Sequence, residues 1–253
     1  MKPASAAGRP ARVPQPQAPA RGGRRNLWLI LGSVAAAAIV AAVLIVANRG
    51  GSGSPSQPAG LAGAAETAAL LRGIPQQGTA LGSPNAPVTL VEYADLQCPI
   101  CAKWATQALP TIVRRYVRTG KVRIEFRGLR FLGPDSNTAL RTALAAGASG
   151  KLWNVVDLLY RNQGAENSGW VSESLLRSVV AAAGLDAGTV LATRSSTAVE
   201  QEIAASEREA ALEGVPGTPA FDLGPTGGAL DRIELTTFDP SELGAAIEAL
   251  LAR

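Results

Sequence analysis

Two cysteines, Cys98 and Cys101, are separated by two residues in the string LQCPICAKW, and they are the only cysteines in a chain of 253 residues. A pair at this spacing can close a small disulfide, supply half of a metal site, lie inert in a core, or exchange disulfides with other thiols. The chain contains no histidine, which excludes a Ser-His-Asp triad, a Cys-His nucleophile and any His-ligated metal centre. Two thiolates alone fall short of the four ligands of a structural zinc site, so no metal is expected. A staple across so few residues constrains the unfolded chain little, because the entropic gain grows with loop length. Exchange chemistry fits the placement better. Cys98 falls where an apolar run, VTLVEY, passes into a helix opened by Pro99. Unpaired N–H groups and the helix dipole there favour a thiolate, so the Cys98 pKa should lie below the free value of about 8.5. Cys101, one turn on, would point inward and act as the resolving thiol, with a mixed disulfide forming at Cys98.

The elements that must hold this pair are legible in the surrounding pattern. Val88–Tyr93 reads as a buried strand, residues 99–119 as a helix disturbed by Pro110, and residues 121–126 as a second strand with Val122, Ile124 and Phe126 on one face. The next ~85 residues are helical in period, with helices expected over 135–147, 151–162, 172–184 and, with a break, 187–213. Strands return at 220–223 and 230–235 around Gly227-Gly228. A last helix starts with Asp239 as cap, Pro240 in the first turn and Glu242 closing a capping box. Strand–helix–strand, a helical block, then strand–strand–helix is an α/β arrangement whose first, parallel pair needs a right-handed crossover.

Ahead of this region the composition changes twice. Residues 1–26 are rich in Pro, Ala, Gly and Arg and read as a disordered basic cytoplasmic tail. Residues 27–47 carry no charge and as a helix span roughly 31 Å, enough for one transmembrane helix. Six of the 24 lysines and arginines precede residue 27 with no acid among them, leaving 18 basic against 20 acidic residues beyond it. The positive-inside rule then puts the N-terminus in the cytoplasm and the rest outside, as a single-pass protein of the cell membrane. A cleaved signal peptide fits less well, because the apolar stretch is long and Ile45 occupies a position that wants a small side chain. Residues 48–86 read as a flexible linker with a short helix near 64–72, and residues 87–253 as the folded domain. The basic charge belongs to the tail, so no nucleic-acid partner is expected.

Two further features stand near the cysteines in sequence. Glu92 interrupts the apolar strand six residues before Cys98. It is either a solvated strand-end carboxylate or a partly buried acid of raised pKa that moves protons at Cys101; Asp95, closer to the surface turn, is the weaker candidate. The string GVPGTPAF (214–221) precedes the third strand and by composition is a Pro/Gly turn.

Taken together, VTLVEYADLQCPICAKW, GVPGTPAF and the helical string KLWNVVDLLYRNQ resemble the DsbA-like branch of the thioredoxin superfamily. The resemblance covers 87–253 and implies a thioredoxin-like fold with a helical subdomain inserted at about 135–213. It further implies Cys98 as nucleophile, Cys101 as resolving thiol, Glu92 as buried acid, and Pro219, preceded by Thr218, as a cis-proline beside the redox pair. Pro99 and Ile100 lie between the cysteines. No cofactor beyond the Cys98–Cys101 disulfide is implied. Members of the branch mostly introduce disulfides into exported proteins and are reoxidised by a quinone-linked membrane partner. The best-known members carry histidine between the cysteines where this chain has Ile100, so a less depressed Cys98 pKa and a weaker oxidant are expected. Reductase or isomerase activity at the same site, or peptide binding without catalysis, are the alternatives; a sensor acting through the single span has no evident cytoplasmic effector.

Overall fold

The computed structural model describes residues 61–253. The tail expected at 1–26 and the membrane span expected at 27–47 lie outside the described residues, as do residues 48–60 of the expected linker. The rest of that linker is folded. Helix α1 (Ala64–Leu71) and two short strands, β1 (Gln76–Gln77) and β2 (Ala80–Leu81), precede β3 (Val88–Ala94). Strand β2 pairs antiparallel with β4 (Val122–Gly128). Composition alone suggested a linker here because strands of two residues show no alternation. Their anchorage is tertiary: the Gln76 side chain donates to Asn154 Oδ1 at 2.8 Å and accepts from the Trp153 N–H at 3.1 Å.

The sheet has the order β1-β2-β4-β3-β5-β6, with β5 at Ala220–Pro225 and β6 at Asp231–Ile233. β3 is central, parallel to β4 and antiparallel to β5, and all seven of its residues are buried. Its side chains alternate between two cores, as the pleat requires. Val88, Leu90 and Ala94 join the larger core, which includes both cysteines, while Val91 and Tyr93 join a smaller one with Leu129 and Ala210. Glu92 is in phase with Leu90 and Ala94, so its carboxyl is directed to the cysteine side.

The crossover from β3 to β4 is a continuous helix, α2, residues 99–117. It consists of an α-turn at Pro99–Lys103, a π-helical stretch at Trp104–Ala108, an α-turn at Leu109–Ile112 and a second π stretch at Val113–Val117. Pro110 has no N–H to continue an α-ladder. The wide turn just before it, closed by Leu109 N–H donating to the Trp104 carbonyl, accommodates the proline without ending the helix.

The helical block follows β4 as α3 (Pro134–Gly147), α4 (Leu152–Arg161), α5 (Glu173–Ala182), α6 (Ala187–Thr193) and α7 (Thr197–Leu212). Ser172, Asp186 and Ser196 cap α5, α6 and α7 through their side-chain oxygens. The final helix, α8 (Pro240–Leu251), is capped by Asp239, which accepts from the Ser241 N–H at 2.8 Å. The expected capping box is not formed: Glu242 accepts instead from the Thr236 and Thr237 N–H groups at 2.9 and 3.0 Å. The carboxylate thereby tethers the approach to the helix rather than its cap.

Candidate active site

Cys98 occupies the N-cap of α2 with extended backbone angles, and its own sulfur is the capping acceptor: the Cys101 N–H donates to Cys98 Sγ at 3.4 Å. Pro99 fills the first helical position, where a missing N–H costs nothing. The Cys98 residue is 6 % exposed and Cys101 fully buried, and both are free thiols. An outer sulfur that a partner can reach thus lies over an inner one that it cannot.

The two thiols are driven apart in acidity. Donation from the Cys101 thiol, helped by the Cys101 N–H, outweighs burial and lowers the Cys98 pKa from 9.0 to about 6. Burial pushes the Cys101 thiol well above 9.0, and the Cys98 and Glu92 charges push it further. A separation of this sign suits a nucleophile and a resolving group that must stay protonated until its turn.

Opposite the pair, the Cys98 thiol donates to the Thr218 carbonyl at 3.3 Å, and the Thr218–Pro219 peptide is cis. The turn at 214–219 therefore packs its backbone against the sulfur. Glu92 is 1 % exposed, so it is not a solvated strand end. Burial raises its pKa from 4.5 to about 7, with the Trp104 indole acting in the opposite direction. Trp104 stacks on Phe221 of β5 with ring centroids 4.6 Å apart. Ile100, 41 % exposed, edges a cavity of about 270 Å³ lined also by Trp104, Thr218, Pro219, Phe221 and Phe238. The structure thus brings Cys98, Pro99, Ile100, Cys101, Glu92, Thr218 and Pro219 to one place.

Asp95 departs from the expectation of a surface position. It is fully buried and accepts from Gln97 N–H at 2.8 Å, Ser136 Oγ at 2.6 Å and Leu132 N–H at 3.0 Å. It ties the end of β3 to the approach to α3. The sequence reading also missed Gln97, Tyr160 and Gln163. Tyr160 Oη donates to the Asp95 carbonyl at 3.2 Å, and Gln163 Nε2 to the carbonyls of Leu96 at 2.8 Å and Cys98 at 3.2 Å. Tyr160 and Gln163, isolated polar residues in a helical string, carry no signal that their targets are backbone carbonyls 65 and 67 residues away, and Gln97 carries none that its partners are Ser136 and Asn167. Among the described residues, no three His, Cys, Asp or Glu side chains converge as a metal set.

Comparison with known proteins agrees with this geometry. Residues 75–224 match the family described as Thioredoxin. A probable disulfide bond formation protein D of Bacillus cereus is 35 % identical over 102 residues, covering 40 % of this chain and 47 % of that protein. Disulfide bond formation protein D of Bacillus subtilis is 32 % identical over 101 residues, covering 38 % and 44 %. The matched part spans about half the length of these curated relatives. Oxidised BdbD of Bacillus subtilis superposes with a TM-score of 0.60 at 20 % identity, covering 71 % of this chain and 98 % of that one. Alpha-DsbA1 of Wolbachia pipientis superposes with 0.61 at 18 % identity, covering 69 % and 90 %. The chain belongs to the thioredoxin family and has the fold of its DsbA-like members.

Proposed function

We propose that the chain is a membrane-anchored, extracytoplasmic thiol–disulfide oxidoreductase that introduces disulfides into exported, cysteine-containing proteins. The observation that carries this reading is the Cys98 sulfur capping α2 beside the Thr218–Pro219 peptide, above a buried Cys101. Residues 27–47 supply the anchor, residues 1–26 the cytoplasmic tail, and the segment that follows the span the tether, which ends where α1 begins.

In the forward direction a substrate thiolate attacks Cys98 of the Cys98–Cys101 disulfide. The bond between the two cysteines breaks, a mixed disulfide forms at Cys98, and Cys101 leaves as a thiolate that takes a proton, with Glu92 as the nearby acid. A second substrate thiolate then attacks the mixed disulfide, and Cys98 leaves as a thiolate. The substrate loses two electrons and gains its disulfide; the enzyme is left as a dithiol for a quinone-linked membrane thiol oxidase to reoxidise. A Cys98 pKa of about 6 makes Cys98 a good leaving group at neutral pH, which favours donation of the disulfide over reduction of others.

The test is oxidation of a reduced, disulfide-containing test protein by the disulfide form, followed by thiol counting. Cys98→Ser should abolish transfer, and Cys101→Ala, offered the oxidised test protein, should attack its disulfide and accumulate a mixed disulfide at Cys98 as one substrate thiolate leaves. Full biological activity of Cys98→Ser in the cell, with transfer abolished, would leave only a peptide-binding role. The reduction potential against glutathione sets direction: about −120 mV marks a strong oxidant and about −270 mV a reductase. We expect an intermediate value.

A further inference from the structure

The segment between Asp95 and Cys98 has no regular hydrogen-bonded partner strand, yet it fixes where the nucleophilic sulfur lies. Its main chain is held partly by its own turn, with Cys98 N–H donating to the Asp95 carbonyl at 3.0 Å and Gln97 N–H to Asp95 Oδ1 at 2.8 Å, and partly by side chains of the helical insertion. At the end of α4, Gln163 Nε2 donates to the Leu96 and Cys98 carbonyls at 2.8 and 3.2 Å. Tyr160 donates to the Asp95 carbonyl at 3.2 Å. The fully buried Gln97 side chain extends away from the cysteine into the same insertion, donating to Ser136 Oγ at 3.0 Å and accepting from Asn167 N–H at 2.7 Å. Of these groups, Gln163 alone touches the main chain of Cys98 itself with a side chain from the insertion.

We propose that Gln163 is a positioning residue for disulfide exchange, clamping the Leu96 and Cys98 carbonyls so that Cys98 Sγ stays aligned with the Cys101 N–H and the Thr218 carbonyl. The inference rests on the thiol–disulfide reading of Cys98 and deepens it. Two physical effects point the same way. The amide is a neutral donor whose positive end sits beside the Cys98 peptide, which favours negative charge on the sulfur. It also holds the N-cap conformation in which the sulfur receives the Cys101 N–H at 3.4 Å, a bond that weakens as the N–H and the sulfur fall out of line. The insertion thus acts on the reactivity of the thiol through one amide. The other titratable groups facing the buried pair, Glu92 and Tyr160, make no hydrogen bond to Gln163, whose side chain reaches only the Leu96 and Cys98 carbonyls.

The test is Gln163→Met, which keeps length and bulk but removes both donors, and Gln163→Glu, which keeps the shape and turns an acceptor toward the two carbonyls. Gln163 is only half-buried, so both changes leave the core intact. Thiolate absorbance against pH should show the Cys98 pKa rising by about half a unit or more in Gln163→Met and further in Gln163→Glu, and the reduction potential should fall in the same order. Gln76→Met is the control: Gln76 makes comparable bonds to α4, far from the cysteines, and its loss should lower the melting temperature without moving the Cys98 pKa. Folded Gln163 variants whose Cys98 titrates and exchanges as in the unaltered protein would overturn the inference. Failure of the unaltered protein to exchange disulfides would instead overturn the functional reading on which it stands.

Discussion

At the scale of single residues, the chemistry is divided between an outer and an inner thiol and one buried carboxyl. Ile100 bounds how far Cys98 can be tuned, since its side chain offers no charge to the sulfur beside it. Replacing it with histidine should lower the Cys98 pKa below about 6 and raise the reduction potential, about 30 mV for each tenfold gain in thiolate stability. An unchanged potential against glutathione would refute this account of Ile100. Glu92 makes a prediction of opposite sign for stability. Its folded pKa, about 7, lies above the unfolded value of about 4.5. The contribution of the protonated carboxyl is therefore complete below pH 4.5 and is lost as pH rises through 7, where a charge must be held in the core. Glu92→Gln removes that loss. Urea unfolding should show the variant gaining stability relative to the unaltered protein between pH 4.5 and 7, on the order of a few kcal/mol in all. A difference that does not change with pH would place the carboxyl in contact with water.

At the scale of elements, the redox loop is a junction between the sheet and the helical insertion, and Asp95 is its buried tie. Asp95→Ala leaves the Gln97 and Leu132 N–H groups and the Ser136 hydroxyl without their acceptor in a dry setting. Each such orphan costs about 1 kcal/mol or more. The variant should lose roughly 3 kcal/mol of unfolding free energy in urea, and a loss below about 1 kcal/mol would mean that the loop finds other partners. This junction also marks the limit of what the chain discloses before it is folded. Val122–Gly128 and the helices from Pro134 onward announce themselves because burial on one face imposes a period on the residue types, and Val88–Ala94 does so as an apolar run buried on both faces. Cys98 and Pro99 announce a helix start by local rules. Asp95 and Glu92, both acids near a strand end, differ from surface carboxylates only in what packs over them, and that is set by α2 and α3. β1 and β2 are too short to have a period, and the bonds of Gln97 and Gln163 run to partners distant in sequence. Pro110 signals a disturbed helix, but the choice of a π turn over a kink depends on the packing of Trp104 and Leu109, both buried.

At the scale of the whole molecule, the fold links its redox state to pH. In the dithiol form Cys98 has a folded pKa of about 6, depressed from 9.0, so its contribution to stability is fully present above the unfolded value and is lost as pH falls through 6. Cys101, raised well above 9.0, opposes this only where unfolded thiols ionise, above about pH 8.5. The disulfide form has neither titration, and Glu92 is common to both forms. The gap in melting temperature between the two forms should therefore move in favour of the dithiol from pH 6 to about 8.5. The reduction potential reports the same linkage. Below pH 6 reduction takes up two electrons and two protons, and the potential should fall by about 59 mV per pH unit. Above it Cys98 stays a thiolate, one proton is taken up, and the slope should halve to about 30 mV. A break near pH 6 ties the leaving-group quality of Cys98 to the donors that converge on its sulfur. A slope of about 59 mV continuing to pH 8 would mean that the folded protein does not stabilise the thiolate, and that disulfide donation is driven by strain or by the partner instead.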